Sequence, residues 1–291
     1  MRNPGPAGSG PSIVQLSGVD QISSLLRMRP AELSEVVATG GRPIPDEEVL
    51  VLPPLDGRTE VWASGVTYER SRTARMEESE EADIYDRVYD AERPELFFKA
   101  PPWRVVTTTE PIGVRDDSGL DVPEPELGLV LNAYGEIVGY VVCNDVSSRS
   151  IEGENPLYLP QAKVYAGSCA ISDGITPASQ VPDPYALTIS VKVHREGQIA
   201  WQGETNTARL HRRLEDLARY LYVAQPFPDG AVLATGTGLV PELDFTLRAG
   251  DRVDIEIENV GRLSNPVTVG SGDSDWLVQA ADDPWSREAV R

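Results

Sequence analysis

The chain has 291 residues, 40% of them hydrophobic and 25% charged, an ordinary balance for a globular protein, while 24 Pro and 25 Gly imply more turns than a helix bundle tolerates. Forty-six acidic against 26 basic residues leave a formal charge of −20, which repels phosphate backbones and anionic lipids and so argues against nucleic-acid and membrane-surface partners. No apolar run approaches the ~20 residues that span a bilayer. The N-terminal MRNPGPAGSGPS lacks the apolar core of a secretory signal, and two cysteines, Cys143 and Cys169, are too few for a disulfide framework or a zinc knuckle. The expectation is a cytoplasmic protein.

Residues 1–11 are rich in Pro, Gly and Ser and read as a disordered tail. Ser17 is placed to cap a helix running to about Met28, with Ile22, Leu25 and Leu26 recurring at helical spacing, and Pro30 opens a second helix that Gly40 and Gly41 stop. EEVLVLPPL then reads as a strand. Residues 12–60 are thus expected to form a small N-terminal α/β domain, and 61–291 a larger one. VWASGVTY reads as a buried strand. The next segment, ERSRTARMEESEEADIYDRVYDAERP, is charged almost throughout; it reads as a solvated helix pair or, from its place between two apolar strands, as a lid over a cleft.

From LFFKA onward strands dominate: WRVVTTT, ELGLVLN, EIVGYVVCN, KVYAGSCAI, LTISVKVH, AVLATG, DFTLRAG and DRVDIEIENV, several bounded by Gly, Pro, Asn or Asp at the spacing of a sandwich or barrel. One helix interrupts them, TNTARLHRRLEDLARYLYV, with Leu210, Leu214, Leu217 and Leu221 on one face and Thr205 or Asn206 as its cap. The fold class is β-rich α+β.

The chemistry concentrates in VPEPELGLVLNAYGEIVGYVVCND. Glu124 and Glu126 are two residues apart, so in a strand both project from one face, while Leu127, Leu129 and Leu131 cover the other. Two such carboxylates on an apolar strand need a cation or a shared proton, unless the strand is an edge with solvated acids. A four-residue loop from Ala133 to Glu136 pairs Asn132 with Ile137 and brings Asp145 opposite Glu124; a three-residue loop sends Asp145 to the other face. The first register gathers three carboxylates into an all-oxygen site suited to Mg²⁺, Mn²⁺ or Ca²⁺.

Lys163, in PQAKVYAG, is either a surface lysine or, beside such a metal, a base or a donor to substrate oxygens. Lys99 lies among Phe97, Phe98 and Ala100 and reads as a snorkelling stem or a site lysine. ATGTG (234–238) is either a carboxylate-holding turn or a plain strand end. No G-x-S-x-G elbow, P-loop or dinucleotide fingerprint is present, and neither histidine, His194 or His211, stands in a recognisable motif with a cysteine.

Taken in order, LFFKA, EPELGLVL, GYVVCNDVSSR, QAKVYAGS, GETNT, AVLATGTG and LRAGDRVDIEIENVGRLSNPV resemble the fumarylacetoacetate hydrolase family, from about residue 60 to the end. The resemblance implies a β-sandwich roll, a homodimer or dimer of dimers, and a divalent metal, Mg²⁺ with Mn²⁺ or Ca²⁺ as alternatives, held by Glu124, Glu126 and Asp145. It implies Lys163 as the active-site lysine and Arg149 and Thr237 as substrate contacts; Lys99 and Ser71 are further candidates for contact with substrate. GVTYERSRTARMEES, YDAERPELFFKA, IEGENPLYLPQAKVY and PFPDGAVLATGTGLVP resemble the branch that dehydrates 2-keto-3-deoxy sugar acids. Ser71 stands where the hydrolytic branch carries a histidine that helps activate water, which favours dehydration over C–C hydrolysis. The branch carries Asp where this chain has Thr73, Ser150 and Ala166, from which a changed substrate is expected.

The expected function is therefore a metal-dependent hydro-lyase acting on a 2-oxo acid through a metal-stabilised enolate. The alternatives are an acylpyruvate-type hydrolase, an oxaloacetate-type decarboxylase, and a non-catalytic binding homologue.

Overall fold

The computed structural model describes residues 2–3, 12–45, 48–78, 82–270 and 272–291. Near the N-terminus, Ser12–Leu16 pairs antiparallel with Arg2–Asn3 and Gly41–Ile44. Two helices, Ile22–Leu26 and Pro30–Ala38, accompany this sheet. The expected tail is thus paired at Arg2–Asn3, and residues 4–11 lie outside the described residues. The first helix starts at Ile22 rather than after Ser17. Its opening N–H groups are capped from a distance, Ile22 N and Ser23 N donating to the Asp56 carboxylate at 2.7 and 3.0 Å. No strand forms over 48–55, where Pro53 and Pro54 have no N–H for a ladder; Glu47 lies outside the described residues.

The main sheet runs in the order Cys169–Ile171, Ile137–Asp145, Pro125–Leu131, Ala231–Ala234, Glu60–Gly65, Glu95–Ala100, with Thr176–Pro177 also on Ile137–Asp145. Ala231–Ala234 is antiparallel to Pro125–Leu131 and parallel to Glu60–Gly65. The sheet curls until its ends meet. Just past Glu95–Ala100, Val106 N donates to Cys169 O at 3.0 Å and Val106 O accepts from Ile171 N at 2.9 Å. This bridge occupies the middle of WRVVTTT, which therefore forms no strand of its own.

A five-stranded sheet, Gln198–Asn206, Thr188–Arg195, Arg252–Ile257, Gly261–Val269 and Ile112–Val114 in that order, packs against the outside of the roll. Leu127, Leu129 and Leu131 meet Ile189, Val191, Val193 and Ile255 between the sheets, while Val130, Val141, Cys143 and Ala63 fill the roll itself. The alternation along Pro125–Leu131 thus separates two cores, and the strand is buried throughout.

DFTLRAG forms no strand, and KVYAGSCAI is strand only over Cys169–Ile171, because Lys163 closes the short helix Leu159–Lys163. The long helix is shortened to Leu214–Tyr222: Leu210 bridges Tyr68 and His211 N donates to Thr67 O at 2.9 Å, holding that stretch extended, while Asn206 caps only the 3-10 turn Thr207–Arg209.

The C-terminus returns to the roll through a buried carboxylate. Glu110 accepts from Arg287 and Arg291 at 2.7 Å each and from Thr107 N at 2.8 Å. Removing one partner of a buried pair strands the other charge. Glu110→Gln is expected to lower stability by about 3–5 kcal/mol, read from the urea midpoint; a loss under about 1 kcal/mol would show that Arg287 is held otherwise.

Candidate metal centre and active site

Glu124, Glu126 and Asp145 are brought together in the roll, their ligand atoms within 4.8 Å of one another and each residue buried. The hairpin register does this. Pro125 pairs with Asn144 and Glu126 with Cys143, so Glu124 falls opposite Asp145, and Asp145 N donates to Glu124 O at 3.0 Å. At the far end a bulge between Val130 and Leu131 gives a Leu131–Ile137 pair and a longer loop than the four residues expected; the bulge absorbs the difference before it reaches the acids.

Cations from four separate elements surround the triplet. Lys163 Nζ donates to Glu124 Oε2 at 2.9 Å and Asp145 Oδ2 at 3.0 Å. Arg149, at the start of the helix Arg149–Glu154, reaches Glu124 Oε1 with Nε at 3.1 Å. Lys99 Nζ sits 2.5 Å from Asp145 Oδ1 and donates to Val146 O and Lys163 O at 3.1 and 2.6 Å. Arg75 comes from the charged segment, which forms two helices, Glu69–Glu78 and Ala82–Asp90; it donates to Glu124 Oε1 at 3.2 Å and also bonds Glu152. The helix pair is therefore not wholly solvated, since its first member roofs the site.

Glu126 stands apart. Its one hydrogen bond among the described residues is from Gly236 N to Oε2, at 2.7 Å. Gly236 can offer that N–H because it has φ +92° and a Cβ there would lie 1.9 Å from Thr67 Oγ1.

The environments drive the acids apart. Burial alone would raise Glu124, but Lys163, Arg149 and Arg75 outweigh it and hold it well below the carboxylate range. Burial, and then the charges of Asp145 and Glu124, push Glu126 well above that range. Burial opposes charge on Lys163, yet Asp145 and Glu124 more than compensate and keep it protonated.

Of the expected substrate contacts, Arg149 is at the cluster. Lys99 is there too, facing Asp145 and donating to two backbone carbonyls. Ser71 is turned inward on its own backbone, donating to Tyr68 O at 2.8 Å and accepting from Tyr68 N at 3.2 Å. The Thr237 hydroxyl bonds Leu239 O and N at 3.2 and 3.1 Å, so in this loop it is the Gly236 backbone that reaches an acid. The three departures from the branch pattern also bond away from the triplet. Thr73 bonds Glu69 O at 3.1 Å, exposed Ser150 lies 2.9 Å from Ser118 Oγ, and the Ala166 carbonyl crowds Gly113.

Sequence reasoning missed Glu95. It lies four residues before Lys99 on a strand, hence on the same face, and that spacing was the available signal. Its carboxyl folds over Gly65, where a Cβ would come 2.0 Å from Oε2. Burial, and then the charge of Glu152, push it up to about 7 against Arg75 and Lys163. Arg75 and Glu152 were missed as well, hidden in segments whose charge reads as surface.

Three buried carboxylates, one of them with no cationic partner among the described residues, suit a hard divalent cation: the donors are all oxygen, and the two sulfurs nearby are inert buried thiols, Cys143 being pushed up by burial.

Comparison with known proteins agrees with this geometry. The family model described as fumarylacetoacetate (FAA) hydrolase C-terminal matches residues 60–268. A probable 2-keto-3-deoxyxylonate dehydratase of Haloferax volcanii is 54% identical over 215 residues, 74% of each chain. The 2-dehydro-3-deoxy-D-arabinonate dehydratase of Saccharolobus solfataricus is 45% identical over 224 residues, 76% of this chain and 75% of the relative. Among solved structures, 2-keto-3-deoxy-D-arabinonate dehydratase complexed with magnesium and 2,5-dioxopentanoate superposes with TM-score 0.75 at 39% identity, covering 89% of this chain and 92% of that one. A buried acidic triplet within a curled sheet, found in a chain matched from residue 60 to 268, makes this protein a member of the fumarylacetoacetate hydrolase family.

Proposed function

We propose that the chain is a magnesium-dependent hydro-lyase that removes water from 2-keto-3-deoxy sugar acids of the pentonate class. The observation that carries this reading is the buried acidic triplet with Lys163 hydrogen-bonded to two of its members, at a site that neither histidine reaches. His194 lies on the outer sheet with Asp254 at 3.1 Å, and His211 faces Asp90 at 3.5 Å and stacks on Tyr89. The dehydratases at 54% and 45% identity support the reaction class, and the magnesium complex at 39% supports the metal. The division into a supporting unit, 12–60, and a catalytic unit, 61–291, belongs to the same proposal. So do the family's dimeric assembly and a cytoplasmic setting; no helix among the described residues is long and apolar enough to cross a membrane.

Glu124, Glu126 and Asp145 would hold the metal. When bound, the cation would draw the carboxylates' charge away from Lys163 and polarise the substrate's 2-oxo oxygen, making the base and the C3–H competent. Lys163 Nζ, once its own ammonium proton has passed to water, takes a proton from C3. The C4–O bond breaks as the C3=C4 bond forms, and the Glu95 carboxyl protonates the departing hydroxide, so that one water leaves. Arg75 and Arg149 neutralise Glu124 throughout and exclude water from above it.

Glu95→Gln is expected to lower kcat at least 100-fold, the usual worth of a positioned acid, while divalent-cation binding stays intact. Because the acid form is the active one and exists below its raised value, wild-type kcat should fall as the pH climbs through about 7. Faster release of pyruvate from acylpyruvates than of water from 2-keto-3-deoxypentonates would refute the lyase assignment.

Glu126→Gln tests the metal ligand. Glu126 is raised by burial and then by the charges of Asp145 and Glu124, so its ionised form opposes folding at neutral pH and a neutral amide relieves both costs. The metal-free variant should melt no lower than wild type, yet show no magnesium-induced rise in Tm and no turnover. Full activity in the variant would remove Glu126 from the metal site.

A further inference from the structure

In each carboxylate of the triplet one oxygen faces a fixed donor, and the other faces Lys163 or, in Glu126, no donor among the described residues. Glu124 Oε1 has Arg149 Nη2 at 2.8 Å, Arg149 Nε at 3.1 Å and Arg75 Nη2 at 3.2 Å. Asp145 Oδ1 faces Lys99 Nζ at 2.5 Å, and Glu126 Oε2 accepts from Gly236 N at 2.7 Å. These donors are fixed. The side chains of Arg149 and Lys99 are 0% and 1% exposed, the Gly236 donor is backbone, and Lys99 is further tied to two carbonyls. The remaining oxygens of Glu124 and Asp145, Oε2 and Oδ2, are the pair that Lys163 bridges, and Glu126 Oε1 has no donor among the described residues.

We infer that the centre presents one oxygen per carboxylate, and that Lys99 and Arg149, by holding the second oxygens, select a small six-coordinate cation such as Mg²⁺ or Mn²⁺ against Ca²⁺. The inference rests on reading the triplet as a divalent-cation site. Mg²⁺ demands near-octahedral geometry, which three single oxygens half complete, leaving the rest to substrate and water. Ca²⁺ takes six to eight oxygens and gains them readily by gripping a carboxylate through both. Here that grip would break a buried, charge-assisted contact and leave Lys99 or Arg149 as an unpaired cation in a dry interior. Lys99 is on this view a positioning residue and not a substrate contact, since its ammonium lies 2.5 Å from Asp145 Oδ1 and donates to Val146 O and Lys163 O.

The test uses the full chain without substrate. Mn²⁺ is displaced by Mg²⁺ and by Ca²⁺, with free Mn²⁺ followed by its electron paramagnetic resonance signal, in wild type, Lys99→Met and Lys99→Arg. In wild type Ca²⁺ should displace Mn²⁺ no better than Mg²⁺ does. Lys99→Met should move the affinity ratio toward Ca²⁺ by about tenfold, and Lys99→Arg, which keeps the cation, should stay within about twofold of wild type. An unchanged ratio in Lys99→Met overturns the inference. Diffraction from Mn²⁺-soaked wild-type crystals decides the matter even if that variant does not fold: the ion should touch Glu124 Oε2, Glu126 Oε1 and Asp145 Oδ2, one oxygen each, and a carboxylate bound through both oxygens overturns the inference. Failure of wild type to bind Mn²⁺ at all would sink the metal reading itself, an outcome distinct from binding with an unchanged ratio.

Discussion

Three carboxylates within 4.8 Å of one another and sealed from water repel strongly, and the surrounding fold is arranged to supply the opposite charge. The cations come from a strand (Lys99), the start of one helix (Arg149), the end of another (Lys163) and an outer helix (Arg75). Curling of the sheet is what makes this convergence reachable. Lys99, on the strand at one end of the sheet order, meets Asp145, next to the other end, only because Val106 and Ala170 join the two. The site therefore exists only when the roll has closed.

The same arrangement distributes protons. Glu124 sits among three cations, Glu126 has one backbone N–H, and Glu95 lies between these extremes, so chemically equivalent side chains acquire different proton affinities from their surroundings alone. The hydroxyl at the position where hydrolytic relatives are expected to carry histidine is tied to its own helix turn.

How much of this was legible depended on whether a signal was local. Glu124, Glu126 and Asp145 announced themselves because a two-residue strand period and one hairpin register place them on a common face. The strands around them were legible for the same reason. What long-range contacts decide was not: the helix start capped by Asp56, the loss of helix before Leu214 where Leu210 bridges Tyr68, and WRVVTTT becoming the seam of the roll. Gln198–Asn206 and Gly261–Val269 were obscured by polar and proline residues that their sheet tolerates on its exposed face. Arg75 and Glu152 failed to stand out because a charge that will be buried looks, in a sequence, like any other.

The distribution of lysine has a practical consequence. Of the three in the chain, Lys99 and Lys163 are sealed inside the roll, whereas Lys192 projects from the outer sheet and is exposed. Amine-reactive dyes, tethers and cross-linkers applied to the folded protein are thereby confined, among its side chains, to a single address on the outer sheet, a natural handle for immobilisation that leaves the chemistry untouched.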